Sequence, residues 1–484
     1  MALVSPKTRV SAYYKLGRDQ TTLDFVDVPI GNDIPVFLDP SRLRSIDSKW
    51  ASDCTSLLQH FFDNLLGHIQ AGSKAKGLEM LEGLSERNEF HLGLSQGRSQ
   101  GSGLGSVFAL RFWDALIKSV AGTSGLLKDL EDACLFIEGV GPDRISDAAC
   151  NIIRGPLIQY TQDMCKYYGI PMEWQVPSGP VWNAMTGTWE DSLVELPVTD
   201  YGKILFVPKV IVRHNFVYDS SRYYTHYLLP LMQSHEKSVN SGLVHTLRDG
   251  KKRVTKKSLR EKYGVDKLAI ARETLKHPGG LDQYRKDALR TSKPMSHYQL
   301  AEIENISGPR FDKLLADLVK IPVGRENATA YENAVEALLS ALFFPSLSSP
   351  RKQSEIHEGR KRIDITYVNS THDGFFRWLS ANYPAPHIFV ECKNYGKEVE
   401  NPEVDQLAGR FGPSRGTVGL LVCRSLSNEK LLAKRCIDTA HDHRGFIIHL
   451  TDDDLKELVK DYTASIGGGD YPLLRKKFSA LVMK

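Results

Sequence analysis

The 484-residue sequence predicts an α/β sandwich over residues 325–484, preceded by a helix-rich mixed α+β region. Three observations lead there. From Tyr331 onward, helical patterns alternate with short runs rich in Ile, Val, Phe and Tyr, which is the order of an α/β sandwich. Before that region, long amphipathic patterns dominate and strand-like runs are short. The length also exceeds what one hydrophobic core usually supports, so two or three domains are expected. We place them at 1–170, a helix-rich domain; 171–324, a β-containing middle region; and 325–484, the α/β sandwich.

Composition sets the class. Apolar residues make up 41% and charged residues 25%, ordinary values for a globular chain, and the formal net charge is only +4. Any affinity for nucleic acid must therefore come from local clusters. The seven cysteines are odd in number and form no CxxC pair, which favours a reducing compartment over a disulfide framework or zinc ribbon. No apolar window approaches a membrane span and MALVSPKTRVSAYYKL lacks a long apolar core, so a cytoplasmic protein with no membrane partner is expected.

Taken in order, LDFVDVPIGNDIPVFLDPSRL alternates like a strand. CTSLLQHFFDNLLGHI follows as an amphipathic helix with Leu57, Leu58, Phe61, Phe62 and Leu65 inward. The glycine-rich stretch from Gly93 to Gly105 precedes a helix, but with no GK[ST] and no clear preceding strand it meets neither nucleotide-binding fingerprint and reads as a surface loop. KDLEDA reads as a solvated face. Strand-like runs follow in VWNAMTGTWEDSLVELPV and KILFVPKVIVRHNFVYD, and YYTHYLLPLMQS then reads as a helix. Residues 248–293 carry fifteen Lys or Arg against six acids, an excess of nine. Such a run neutralises phosphates without reading sequence, and Lys251, Lys252, Arg253, Lys256 and Lys257 are its candidate contacts; the alternative is a solvated helical linker.

In the last third, YENAVEALLSALFF puts Val335, Leu338, Leu339 and Leu342 on one helical stripe, with Glu332 at its edge and Glu336 turned further towards solvent. RIDITYVN and HIFVECKNY then read as adjacent buried strands whose ends carry Asp364, Glu391 and Lys393. Charged residues are rarely buried without partners. On a strand Glu391 and Lys393 share a face and Cys392 points away, and Asp364 joins them if the strands are neighbours. Two hard carboxylates suit Mg²⁺, and a nearby ammonium can orient a metal-bound water. PEVDQLAGRF, TVGLLVCRS, NEKLLAKRCIDTA, GFIIHL and DDDLKELVKDY complete the alternation, with Val404 and Leu407 inward on the first of them.

An Asp followed at a distance by Glu-x-Lys at a strand end resembles the PD-(D/E)XK nuclease superfamily, and the flanks make it most similar to the Mrr-like restriction endonucleases. The resemblance covers Arg325 to the C-terminus, and Ile363 stands where the family name has proline. It implies a restriction-endonuclease-like αβ sandwich and Mg²⁺, with Mn²⁺ as a substitute, held by Asp364 and Glu391. Lys393 would be catalytic, Glu332 rather than Glu336 would be the carboxylate offered by the first helix, and Gln406 would face the site. Arg362, Lys397, Arg410 and Arg415 surround the site in sequence and are read as grips on the DNA backbone. The function expected is a Mg²⁺-dependent endodeoxyribonuclease, a bacterial anti-phage defence or restriction effector. It would act as at least a dimer, with a regulatory partner protein or ligand at the N-terminal region. The alternatives are a repair or junction-resolving nuclease, and a non-catalytic nucleic-acid-binding or nucleotide-sensing protein.

Overall fold

The computed structural model describes residues 4–85, 87–93, 105–291, 293–356, 361–371, 373–395, 399–465 and 469–483. The glycine-rich stretch falls mostly at 94–104, outside them, as does Lys397. Two hydrophobic cores organise the chain. One takes its residues from Val10 to Leu300, joined by Phe344, and the other from Phe311 to Leu481. The first core draws on both sides of position 170: Phe61 of the helix Lys49–Gln70 packs edge-on against Trp182, and Phe25 stacks on Phe206.

That helix buries Leu58, Phe61, Phe62 and Leu65 as its periodicity requires, with Leu57 half-buried. The preceding stretch departs from the strand expectation. Leu23 to Val28 are buried, yet only Phe37–Leu38 joins a ladder, with Val212–Arg213. Pro29, Pro35 and Pro40 cannot donate to a ladder. Acid side chains take the backbone donors instead: Ser11 N–H donates to Asp27 Oδ1 at 2.9 Å and Ser41 N–H to Asp39 Oδ1 at 3.0 Å. KDLEDA is not a solvated face either. Glu131 and Asp132 are buried, paired with Arg44 and Arg285. The basic stretch is no linker: its helices Lys256–Tyr263, Lys267–Lys276 and Gly279–Thr291 bury Leu259, Ile270, Leu281 and Tyr284 in the first core.

The C-terminal unit is a five-stranded mixed sheet with helices around it. Its elements are α1 (Ala328–Phe343), β1 (Leu347–Ile356), β2 (Lys361–Asn369), α2 (Gly374–Asn382), β3 (His387–Lys393), α3 (Asn401–Ala408), β4 (Val418–Cys423), α4 (Glu429–His441), β5 (Phe446–Thr451), α5 (Asp452–Ala464) and α6 (Pro472–Val482). Strand order follows sequence order, β1-β2-β3-β4-β5; β1/β2 and β2/β3 are antiparallel, β3/β4 and β4/β5 parallel. The buried character of β3 and β4 fits strands covered on both faces. The sequence reading omits β1, α2 and α6. β1 is an edge strand, carries Pro350, and is irregular between Ser348 and Arg351, so its pattern lacks a strand's alternation. Among the described residues, no helix is long and apolar enough to cross a membrane. All seven cysteines are buried, and none of them forms a disulfide.

Candidate functional site

The site forms where β2 and β3 part. Their ladder ends at Ile365↔Val390, whereas β3 stays paired with β4 through Lys393↔Cys423. Beyond the last β2–β3 pair, the Asp364 side chain replaces the ladder: Cys392 N–H donates to Asp364 Oδ2 at 2.8 Å. The expected alternation on β3 is realised. Lys393 Nζ donates to Glu391 Oε1 at 2.8 Å and to Gln406 Oε1 of α3 at 3.2 Å. With Val404 and Leu407 buried against the sheet, α3 brings Gln406 to Lys393.

Glu391 is 1% exposed and its Oε2 accepts no hydrogen bond among the described residues. Arg410 Nε stands 3.6 Å from that oxygen, and Arg410 is itself buried. Arg410 therefore belongs to the site rather than to an outer phosphate grip. It lies in the turn just past the end of α3, where its N–H donates to Leu407 O at 3.0 Å, so helical spacing from Gln406 does not reveal its place. Arg415 is half-buried, and its Nη2 reaches the carbonyls of Arg410 and Phe411 at 3.4 and 3.5 Å, bracing a turn. Arg362 lies on β2, and its side chain is outside the described residues.

The electrostatics tie the acids together. Burial raises the Glu391 carboxyl above its ordinary value and Asp364 raises it further, against Lys393 and Arg410. Burial likewise raises Asp364, opposed by the Cys392 N–H, Lys393 and Arg410. Glu332 on α1 is pushed up to about 7, first by burial and then by Asp364 and Glu391. Burial opposes the charge on Lys393, but Glu391 outweighs it and holds the ammonium above its usual range. Three acids facing one lysine would leave a negative surplus, but Arg410 supplies a second cation and Glu332 holds its proton into the neutral range.

Among the described residues, no group of three or more His, Cys, Asp or Glu side chains is gathered as a metal site, so Glu332 does not close a ligand triad with Asp364 and Glu391. The pair Asp364 and Glu391 suits a hard divalent cation, since both offer oxygen and Glu391 Oε2 is buried with no hydrogen-bond donor among the described residues.

Glu336, expected to face solvent, is fully buried. Its carboxylate pairs with Arg18 of the N-terminal unit, accepts from Ser340 Oγ at 2.8 Å and lies 3.6 Å from Lys352 Nζ. Lys352 Nζ also donates to Asn333 Oδ1 at 2.6 Å. The N-terminal unit thus grips the helix that carries Glu332. A single helix pattern cannot show which face a second unit covers.

Of the five candidate basic residues, Lys251, Lys252, Arg253 and Lys257 are exposed. Lys256 is half-buried and donates to Thr225 O at 2.6 Å, a structural latch.

Residues 15–219 match a family described as a domain of unknown function (DUF8370), a stretch that contains Arg18 but none of the candidate site residues. No curated protein and no solved structure matches the chain.

Proposed function

We propose that the chain is a Mg²⁺-dependent endodeoxyribonuclease whose C-terminal unit has a restriction-endonuclease-like fold. The observation that carries this reading is the convergence of Asp364, Glu391, Lys393 and Gln406 where two antiparallel strands part, with Lys393 Nζ bonded to both Glu391 and Gln406. Asp364 and Glu391 would hold the cation, with Mn²⁺ as a substitute, and Glu332 would stand near it. The bound cation would supply Lewis acidity and a water of lowered pKa. Lys393 supplies a positive charge where phosphorane charge develops and a donor that orients the attacking water. Gln406 holds the Lys393 ammonium in place, and Arg410, 3.6 Å from Glu391 Oε2, offsets the charge on that oxygen without donating a hydrogen bond to it among the described residues. DNA is the proposed partner, and a bacterial anti-phage or restriction role fits a large accessory region beside one cleavage site; repair or junction resolution is the competing task. Because one such site cuts one strand, a C2 pair is proposed for double-strand cleavage. The N-terminal unit, anchored on α1 through Arg18, would recognise a target or a regulatory ligand or protein.

A second reading has its own support. Lys393 and Arg410 nearly balance the acids, and such a set can serve as an inert buried ion network. Incubation of the full-length protein with linear, circular and branched DNA, in Mg²⁺ or in EDTA, separates these readings. Metal-dependent products from wild type but not from Lys393→Ala support the nuclease. Preference for branched DNA favours junction resolution, and no products from any substrate favours the inert network.

A further inference from the structure

The basic stretch contains a feature its charge count does not disclose. His245–Thr246 and Lys252–Arg253 form an antiparallel ribbon with the pairs Arg253↔His245 and Lys252↔Thr246. Its turn closes with Leu247 N–H donating to Lys251 O and Gly250 N–H donating to Leu247 O, both at 2.9 Å, and Gly250 takes the left-handed conformation the turn requires, φ +79°. Every residue from His245 to Arg253 is exposed. The base is fixed: Val254 is buried, Gln233 Nε2 donates to Val254 O at 2.6 Å, and Thr255 caps the helix that follows. The ribbon is thus an exposed hairpin whose second strand leads directly into these anchoring contacts.

The charges divide into two sets. Lys256, Arg260 and Lys262 are spent on Thr225 and Glu236. On the ribbon, Lys251 pairs only with its neighbour Asp249, and the side chains of Arg248, Lys252 and Arg253 have no hydrogen-bond or ion-pair partner among the described residues. Alternation puts the Arg253/His245 pair and Lys251 on one face, and the Lys252/Thr246 pair on the other. A ribbon lying flat on a phosphate surface would need cations on one face only.

We propose that residues 245–253 enter the major groove of B-form duplex DNA, with Lys251 and Arg253 against one phosphate wall, Lys252 against the other and Arg248 at the floor. Arms of three residues at about 3.3 Å each reach about 10 Å, against a groove about 8.5 Å deep and 12 Å wide. The A-form major groove is too narrow for such a ribbon, so duplex RNA is disfavoured. The proposal takes its partner from the DNA-directed reading above and does not depend on catalysis.

The test is fluorescence anisotropy of a labelled 25-base-pair duplex with full-length protein in EDTA, across a salt series. A Lys251→Gln/Lys252→Gln/Arg253→Gln variant is expected to lower the slope of log affinity against log salt by about 2–3, at about 0.9 per lost phosphate contact. A charge-matched control on the exposed Lys74, Lys76 and Lys118, each changed to Gln, is expected to leave the slope unchanged. An unchanged slope in the ribbon variant, an equal loss in the control, or equally tight ribbon-dependent binding of duplex RNA overturns the proposal. Ribbon-dependent binding by a protein that never cleaves DNA would refute the nuclease reading and leave this one standing.

Discussion

Arg18→Ala tests whether the N-terminal unit holds the candidate site helix. Arg18 pairs with Glu336, whose carboxylate is fully buried one helical turn after Glu332, and it also donates to Asn333 O at 3.4 Å on the same helix. Removing one partner of a buried ion pair costs roughly 3–5 kcal/mol. Ser340 and Lys352 stay beside Glu336 in the variant, which puts the loss at the lower end, about 3 kcal/mol. At roughly 2–4 °C per kcal/mol for a unit of this size, the C-terminal melting transition should fall by about 6–12 °C. Changing Arg18 and Glu336 together to Met should recover part of the loss, because Lys352 is then the one charge deprived of its carboxylate and it keeps its bond to Asn333 Oδ1. The pH dependence has a definite sign. Burial raises the Glu336 carboxyl, but Arg18, Lys352 and Ser340 outweigh it and hold it below the ordinary 4.5. A depressed carboxyl contributes stability that is fully present above 4.5 and lost as pH falls through the folded value. The gap between wild type and Arg18→Ala should thus be full at pH 7 and close towards acid. Calorimetry at several pH values reads both quantities, and amide hydrogen exchange reports whether α1 loosens. An unchanged melting temperature at pH 7, or a gap that persists unchanged in acid, would refute the coupling.

Three further outcomes are expected. Glu332 is raised from 4.5 to about 7, so the metal-free folded protein keeps a proton that the unfolded chain has released; stability should decline as pH rises between these values, and Glu332→Gln should flatten that slope in calorimetric melts. Asp364→Ala should weaken Mg²⁺ or Mn²⁺ binding directly, whereas Lys393→Ala should bind metal but slow cleavage; equal metal affinity of wild type and Asp364→Ala in isothermal titration would count against that division. Light scattering should show self-association of the full-length protein, with DNA if not without it, and a strict monomer under every condition would remove the proposed C2 pair.

The legible parts of this sequence are those whose local pattern and tertiary burial agree. The stripe Val335, Leu338, Leu339 and Leu342, the buried runs of β3 and β4, and the shared face of Glu391 and Lys393 are all fixed by periodicity, and the structure realises each. The illegible parts depend on long-range partners. Glu336 looks solvent-facing on its own helix because Arg18, 318 residues away, supplies the charge that permits its burial. Glu131 and Asp132 are buried for the same reason, by Arg44 and Arg285. β1 is illegible because an edge strand with a proline and an irregular register need not alternate. The basic stretch was legible as charge but not as shape: which cations latch helices and which project on a ribbon depends on Thr225 and Glu236 from another element.

The measurement that bears most directly on the proposed nuclease is the rate at which full-length protein nicks supercoiled plasmid in Mg²⁺, for wild type beside Asp364→Ala. Asp364 is half-buried and its Oδ2 accepts the Cys392 N–H, so circular dichroism should accompany the assay to show that the variant folds. Metal-dependent conversion to the open circle by wild type, and none by a folded Asp364→Ala, is the expected result. Conversion by both at the same rate, or by neither across Mg²⁺ and Mn²⁺, would contradict it.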